Sequence, residues 1–199
     1  MKSYAIMVLG VAGVGKTSFG RRLASLLGLK FIDLPELVRE RKLYTAYDSE
    51  AQAYVVDLRR VSAAVGSLLR EESGVVASVY PFKPRGVEVR NAIVLRMNPL
   101  KLIEILKERR YPRWKIRENV SAELIDQPFV EAIRKFGPDK VIQLNVTDKS
   151  LDELAERVAE GLREGKIAEL DEKVDWIGFL EKSGRLEELL SFLEQAESR

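Results

Sequence analysis

Eight residues near the start of the chain, Gly10 to Thr17 (GVAGVGKT), match the spacing G-x-x-x-x-G-K-[ST]. Glycines there let a loop turn its backbone amides toward one point, and the following helix N-terminus adds a positive field. The chemistry on offer is capture of a phosphate chain. Lys16 supplies a mobile cation toward the β and γ positions of a nucleotide, and Thr17 a hydroxyl for magnesium.

Other residues decide what happens to a captured phosphate. Asp33 ends a short apolar run, and a carboxylate there could hold magnesium through water, orient an attacking hydroxyl, or cap the next helix. Arg39, on that helix, offers bidentate geometry to the phosphate of a second substrate; a solvated helix face is the alternative. Between Lys107 and Arg117 stand six basic residues (Lys107, Arg109, Arg110, Arg113, Lys115, Arg117) and one acid, Glu108. With Tyr111 and Pro112 bending the segment, it reads as a short lid that closes over a triphosphate and neutralises its charge. One expected group is missing. A strand beside such a loop usually delivers an aspartate for the magnesium ion, but GVVASVY, Gly74 to Tyr80, brings Ser78 and Tyr80 instead.

The elements that must position these residues alternate. YAIMVL (Tyr4 to Leu9) reads as a central parallel strand, and Lys16 to Leu27 as a helix ending at Gly28. LKFIDL (29–34) is a second strand, followed by a helix with Pro35 in its first turn. Residues 43–74 read as a helical insertion. GVVASVY and NAIVLR (91–96) are the third and fourth strands. Asn98 and Pro99 open a helix to about Arg109, a single long helix spans 115–136, and KVIQLN (140–145) is the fifth strand. Ser150 and Glu153 have capping-box spacing on the next helix. The expectation is an α/β fold of the P-loop NTPase class: a five-stranded parallel sheet flanked by helices, filling residues 1–165. Residues 166–199 read as two amphipathic helices packed on that core, one lined by Leu170, Val174, Ile177 and Leu180 and the other by Leu186, Leu189, Phe192 and Leu193.

Composition narrows the field. The chain has 199 residues, 46% of them hydrophobic and 32% charged, which suits one sizeable core with a charged surface. A net charge of +2 on 33 basic and 31 acidic residues argues against wholesale nucleic-acid binding. Without histidine or cysteine there is no imidazole base and no thiolate metal site, so proton transfer falls to carboxylates or water. No apolar run is long enough to span a membrane, and the reading is a cytoplasmic protein.

Taken together, GVAGVGKTSFGRRLASLLGLKFID, LVRERKLYTAYDSEAQAYVVDLRRV, IVLRMNP and LKERRYPRWKIRENVSAEL resemble the adenylate kinase isoenzyme 6 family over about residues 4 to 160. That family comprises nucleoside monophosphate kinases also implicated as ribosome-assembly ATPases. The resemblance implies ATP with Mg2+ as the donor and a nucleoside monophosphate, AMP foremost, as the acceptor. It places Gly13, Val14, Gly15, Lys16, Thr17 and Ser18 on the ATP phosphates, with Thr17 on the metal. Residues 33–56 would form the monophosphate-binding insertion, with Arg39 as its clamp, and residues 108–118 the lid, with Arg109 facing the nucleotide and Arg113 the substrate. Asn145 to Thr147 would lie near the adenine. Lys16, Arg109 and Asp33 are the expected catalytic residues, and a small-subunit ribosomal protein is a further expected partner. The family's third strand ends in an aspartate, one residue, and then a histidine, where this chain has Ser78 and Tyr80. A serine can still hold a magnesium-bound water but brings no charge. An ATP-binding assembly factor with weak or lost kinase activity is therefore the rival expectation.

Overall fold

Tyr4–Leu9 forms β1, buried from Ala5 onward, because a strand covered on both faces reads as an unbroken apolar run. The computed structural model describes residues 2–49 and 53–194, the side chain of Ala53 excepted. After β1 come α1 (Lys16–Leu27), β2 (Lys30–Asp33), α2 (Leu34–Glu40), β3 (Tyr44–Asp48), β4 (Ala53–Val56) and α3 (Leu58–Leu68). These lead into β5 (Gly74–Ala77), β6 (Glu88–Arg96), α4 (Pro99–Glu108), α5 (Arg113–Leu124) and α6 (Gln127–Phe136). The chain continues with β7 (Val141–Asn145), α7 (Leu151–Glu164), α8 (Trp176–Lys182) and α9 (Leu186–Glu194).

Five strands form one parallel sheet in the order β2-β5-β1-β6-β7. Alternation along β1 sorts the core into two layers. Ile6 and Val8 join Phe19 and Leu23 of α1 and Val158 of α7, whereas Ala5, Met7 and Leu9 join Val61 and Val65 of α3. The order leaves β1 central, so the loop that follows it emerges in the middle of the sheet's carboxyl edge, where ligands of open α/β sheets bind.

Three expectations about local structure need correction. Residues 44–48 and 53–56 are not helical: β3 and β4 pair antiparallel, with Tyr47 opposite Tyr54 and the Tyr44 and Tyr54 rings stacked 4.3 Å apart. Aromatic and β-branched residues make such cross-strand pairs more readily than they fill a helix. The single helix expected over 115–136 is two, α5 and α6. Asp126 between them takes a left-handed conformation (φ 58°), and Pro128 forbids a helical bond back toward Leu124. In the tail, Leu170 sits in a 3-10 turn and Val174 in extended chain, so α8 begins only at Trp176, and Ile177 is exposed. Trp176, Leu180 and Leu189 are buried in the same layer as α1 and α7.

The tail meets the sheet through a buried polar network. Arg96, the last residue of β6, has no exposure, and its Nε donates to Glu123 Oε1 at 2.7 Å while Nη1 donates to Gln143 Oε1 at 2.6 Å. Its Nη2 donates to the Glu123 carbonyl and to Asp126. The same Glu123 oxygen accepts the Met97 amide at 3.1 Å and the Trp176 indole N–H at 2.8 Å. Burial pushes the Glu123 carboxyl above the usual carboxylate range, against the pull of Arg96, Trp176 and Met97. Removing one member of a buried pair strands the other charge. Glu123→Ala is accordingly expected to lower unfolding free energy by about 3–5 kcal/mol, read as a lower midpoint in urea denaturation.

Candidate active site

The glycine loop is built where the strand must turn straight into a helix. Gly13 and Gly15 take φ of 94° and 93°, which side chains disfavour, and a Cβ on Gly15 would lie 2.5 Å from Leu151 of α7. A Cβ on Gly13 would lie 3.0 Å from both Leu102 and Leu106 of α4. No side chain caps the start of α1, and among the described residues no hydrogen bond to protein is made by the amides of Gly13 or of Gly15 through Ser18. Backbone donors without a protein acceptor at a helix N-terminus are the arrangement of an anion nest. The Val14 side chain is buried in the core.

Lys16 opens α1, and its Nζ donates to the Val11 carbonyl at 2.7 Å. Burial lowers its ammonium from the ordinary 10.5 to about 8; nearby Asp33 opposes that shift, Arg109 adds to it, and Glu123 opposes it. The charges of Asp33 and Arg109 are thus felt at the lysine. Thr17 donates its hydroxyl proton to Asp33 Oδ2 at 2.7 Å, and Asp33 Oδ1 accepts the Glu36 amide at 3.3 Å. Asp33 thus caps α2, one of the alternatives read from the sequence, and also holds the Thr17 hydroxyl.

Ser78 is closed on its own turn. Just past β5 and fully buried, it donates to the Tyr80 carbonyl at 2.7 Å and accepts the Tyr80 amide at 3.1 Å. Its only proton is spent in that closed turn, while the Tyr80 ring is exposed. Asp33 pairs in register with Ala77, the residue before Ser78, so the carboxylate stands on the neighbouring strand at the same edge of the sheet. The donor set fits magnesium. Among the described residues no three His, Cys, Asp or Glu side chains cluster, so the chain offers one hydroxyl and one carboxylate, leaving the remaining positions to phosphate and water.

The basic segment is less mobile than a free lid. α4 ends at Glu108, Arg110 has φ 58°, and α5 starts at Arg113 with Ile116 and Val120 buried. Only 109–112 lies between the two helices. Arg109 is exposed, whereas the Arg113 guanidinium lies 5.3 Å from the Phe192 ring of α9. Arg39 is exposed on α2, and no described carboxylate neutralises it. Past β7, Thr147 accepts the Asn98 amide at 2.8 Å and donates its own amide to Asn145, fixing that loop against the start of α4. Asn119 of α5, which the motif pattern did not single out, accepts the Ala12 amide at 2.9 Å. Asn119 and Glu123 are four residues apart on one helix face, a polar pair on an otherwise docked helix that the sequence does display.

A parallel sheet with this loop after its central strand and a lysine and threonine opening the next helix defines a P-loop NTPase. A family profile described as an AAA domain matches residues 6–126. A relative from Saccharolobus solfataricus, carrying the name "Putative adenylate kinase", is 33% identical over 91% of this chain and 95% of its own. Another so named, from Methanocaldococcus jannaschii, is 29% identical over 86% and 92%. The chain belongs to this adenylate-kinase-like family. Among solved structures, thymidylate kinase from Candida albicans shares the fold with a TM-score of 0.55 at 15% identity, covering 83% of this chain and 93% of that one. A gluconokinase from Sinorhizobium meliloti gives 0.52 at 21%, covering 81% and 97%.

A lysine that loses its proton near pH 8 must regain it to meet a triphosphate. ATP affinity is expected to be insensitive to this group below pH 8 and to fall by up to about tenfold per unit above it, with proton uptake on binding. Calorimetry at pH 9 in buffers of different ionisation heat reads that uptake, and Lys16→Ala removes it.

Proposed function

We propose that the chain is an ATP-dependent nucleoside monophosphate kinase, moving the γ-phosphoryl group of ATP to AMP or a related monophosphate. The observation that carries the reading is the Thr17–Asp33 hydrogen bond beside Lys16 at the uncapped start of α1. It supplies a positioned hydroxyl and a carboxylate where a nucleotide-bound cation would sit. The names of the archaeal relatives support the monophosphate as acceptor.

In this reaction an oxygen of the acceptor phosphate bonds to the γ-phosphorus as the bond to the β–γ bridging oxygen breaks, and ADP leaves. Amides of Gly13, Val14, Gly15, Lys16, Thr17 and Ser18 hold the triphosphate, and Lys16 exchanges the Val11 carbonyl for β and γ oxygens. Arg109 offsets charge developing on the transferred group, and Arg39 clamps the acceptor phosphate. Arg113 joins them only by leaving Phe192. Magnesium, when bound, neutralises charge on the β and γ oxygens, and Thr17 with Asp33 would hold it. Transfer between two bound phosphates depends on placement and positive charge more than on a proton-abstracting base, so the lack of histidine is no obstacle. A reading in which catalysis has been lost rests on Ser78 and Tyr80, and the carboxylate of Asp33 weakens it.

Coupled detection of ADP across a panel of nucleoside monophosphates tests the proposal. Turnover with at least AMP, abolished in Lys16→Ala, is expected. Arg39→Ala should raise the acceptor KM roughly tenfold or more and leave the ATP KM in place. Turnover with gluconate or another small hydroxyl acceptor, and none with any monophosphate, would overturn the acceptor assignment.

A further inference from the structure

The peptide unit between Val11 and Ala12 is gripped at both ends. Its carbonyl accepts from Lys16 Nζ at 2.7 Å, and its N–H donates to Asn119 Oδ1 at 2.9 Å. A peptide is planar, so fixing the N–H fixes the direction of the carbonyl that holds the lysine. Asn119 is itself oriented, because its Nδ2 donates to the Lys115 carbonyl at 2.8 Å on the preceding turn. One turn further along, Glu123 ties α5 to Met97, Arg96 and Trp176. The grip therefore comes from an anchored helix. Asparagine is a poor choice for a helix interior on propensity alone, which argues that the position serves the loop and not α5.

We propose that Asn119 is a positioning residue for the phosphate loop, holding the Val11–Ala12 peptide so that the resting place of Lys16 and the turn at Gly13 keep one geometry as phosphates enter. An arriving phosphate draws Lys16 off Val11, while the Ala12 N–H stays on Asn119. The loop then need not reorganise at the moment of transfer, and misplacement of a catalytic group by even an ångström is costly.

The test is amide hydrogen exchange at Ala12, resolved by NMR on the full nucleotide-free chain. Asn119→Ala should speed that exchange roughly tenfold or more, whereas Asn119→Asp, which keeps the acceptor oxygen, should stay within about threefold of wild type. Asn119→Leu, near in size and unable to accept, gives the same comparison if the alanine variant does not fold. In kinetics, the alanine variant should lose roughly tenfold or more in kcat with the acceptor KM unmoved. That arm rests on the kinase reading; the exchange arm needs no substrate, so the two fail separately. Unchanged Ala12 exchange in the alanine and leucine variants, or equally fast exchange in the aspartate variant, would overturn the proposal.

Discussion

The Arg96–Glu123 pair at the end of β6 is the constraint on which the rest of the site depends. Both side chains are fully buried, and a single carboxylate oxygen joins the sheet edge, α5 and the tail through Arg96, Met97 and Trp176. Desolvation offsets most of the attraction in such a pair, so its contribution lies in fixing places more than in net stability. Because α5 cannot shift relative to β6, Asn119 meets the loop that follows β1, and the short 109–112 connection is left to carry Arg109.

Against that frame the catalytic groups divide by mobility. The amides of the loop and the Thr17–Asp33 pair are set by backbone geometry and a helix cap, so they need little reorganisation when charge arrives. In the proposed reaction Lys16 is the group that moves, from a loop carbonyl to phosphate, and burial lowers its hold on a proton. The carboxylate stands on β2, one strand away from where a P-loop protein would ordinarily carry it, and the serine in that ordinary place is closed on its own turn.

Much of the layout was legible in the residues. The five sheet strands, the glycine loop and the caps at Gly28, Asn98 and Ser150 follow from apolar runs and capping chemistry that the tertiary structure leaves undisturbed. The pairing of β3 with β4 was not legible, since its stability comes from tyrosine pairs that no local period announces. The break at Asp126 carries a local mark in Pro128, which helical periodicity alone passes over, and Arg96 then holds Asp126 in place. Arg96 and Glu123 looked like ordinary charges in one dimension; only folding brings them together across 27 residues and adds Trp176 from the tail. The burial of Ser78 was likewise invisible, and it moves attention from the strand that lacks an acid to the neighbour that has one.

In the proposed reaction one site holds a nucleoside triphosphate and a nucleoside monophosphate in line. Calorimetric titration with a dinucleotide of two adenosines joined by five phosphates measures this most directly. The account predicts one molecule bound per chain, tighter than either ATP or AMP alone, and loss of that gain in Lys16→Ala. Binding no tighter than that of ATP would contradict it.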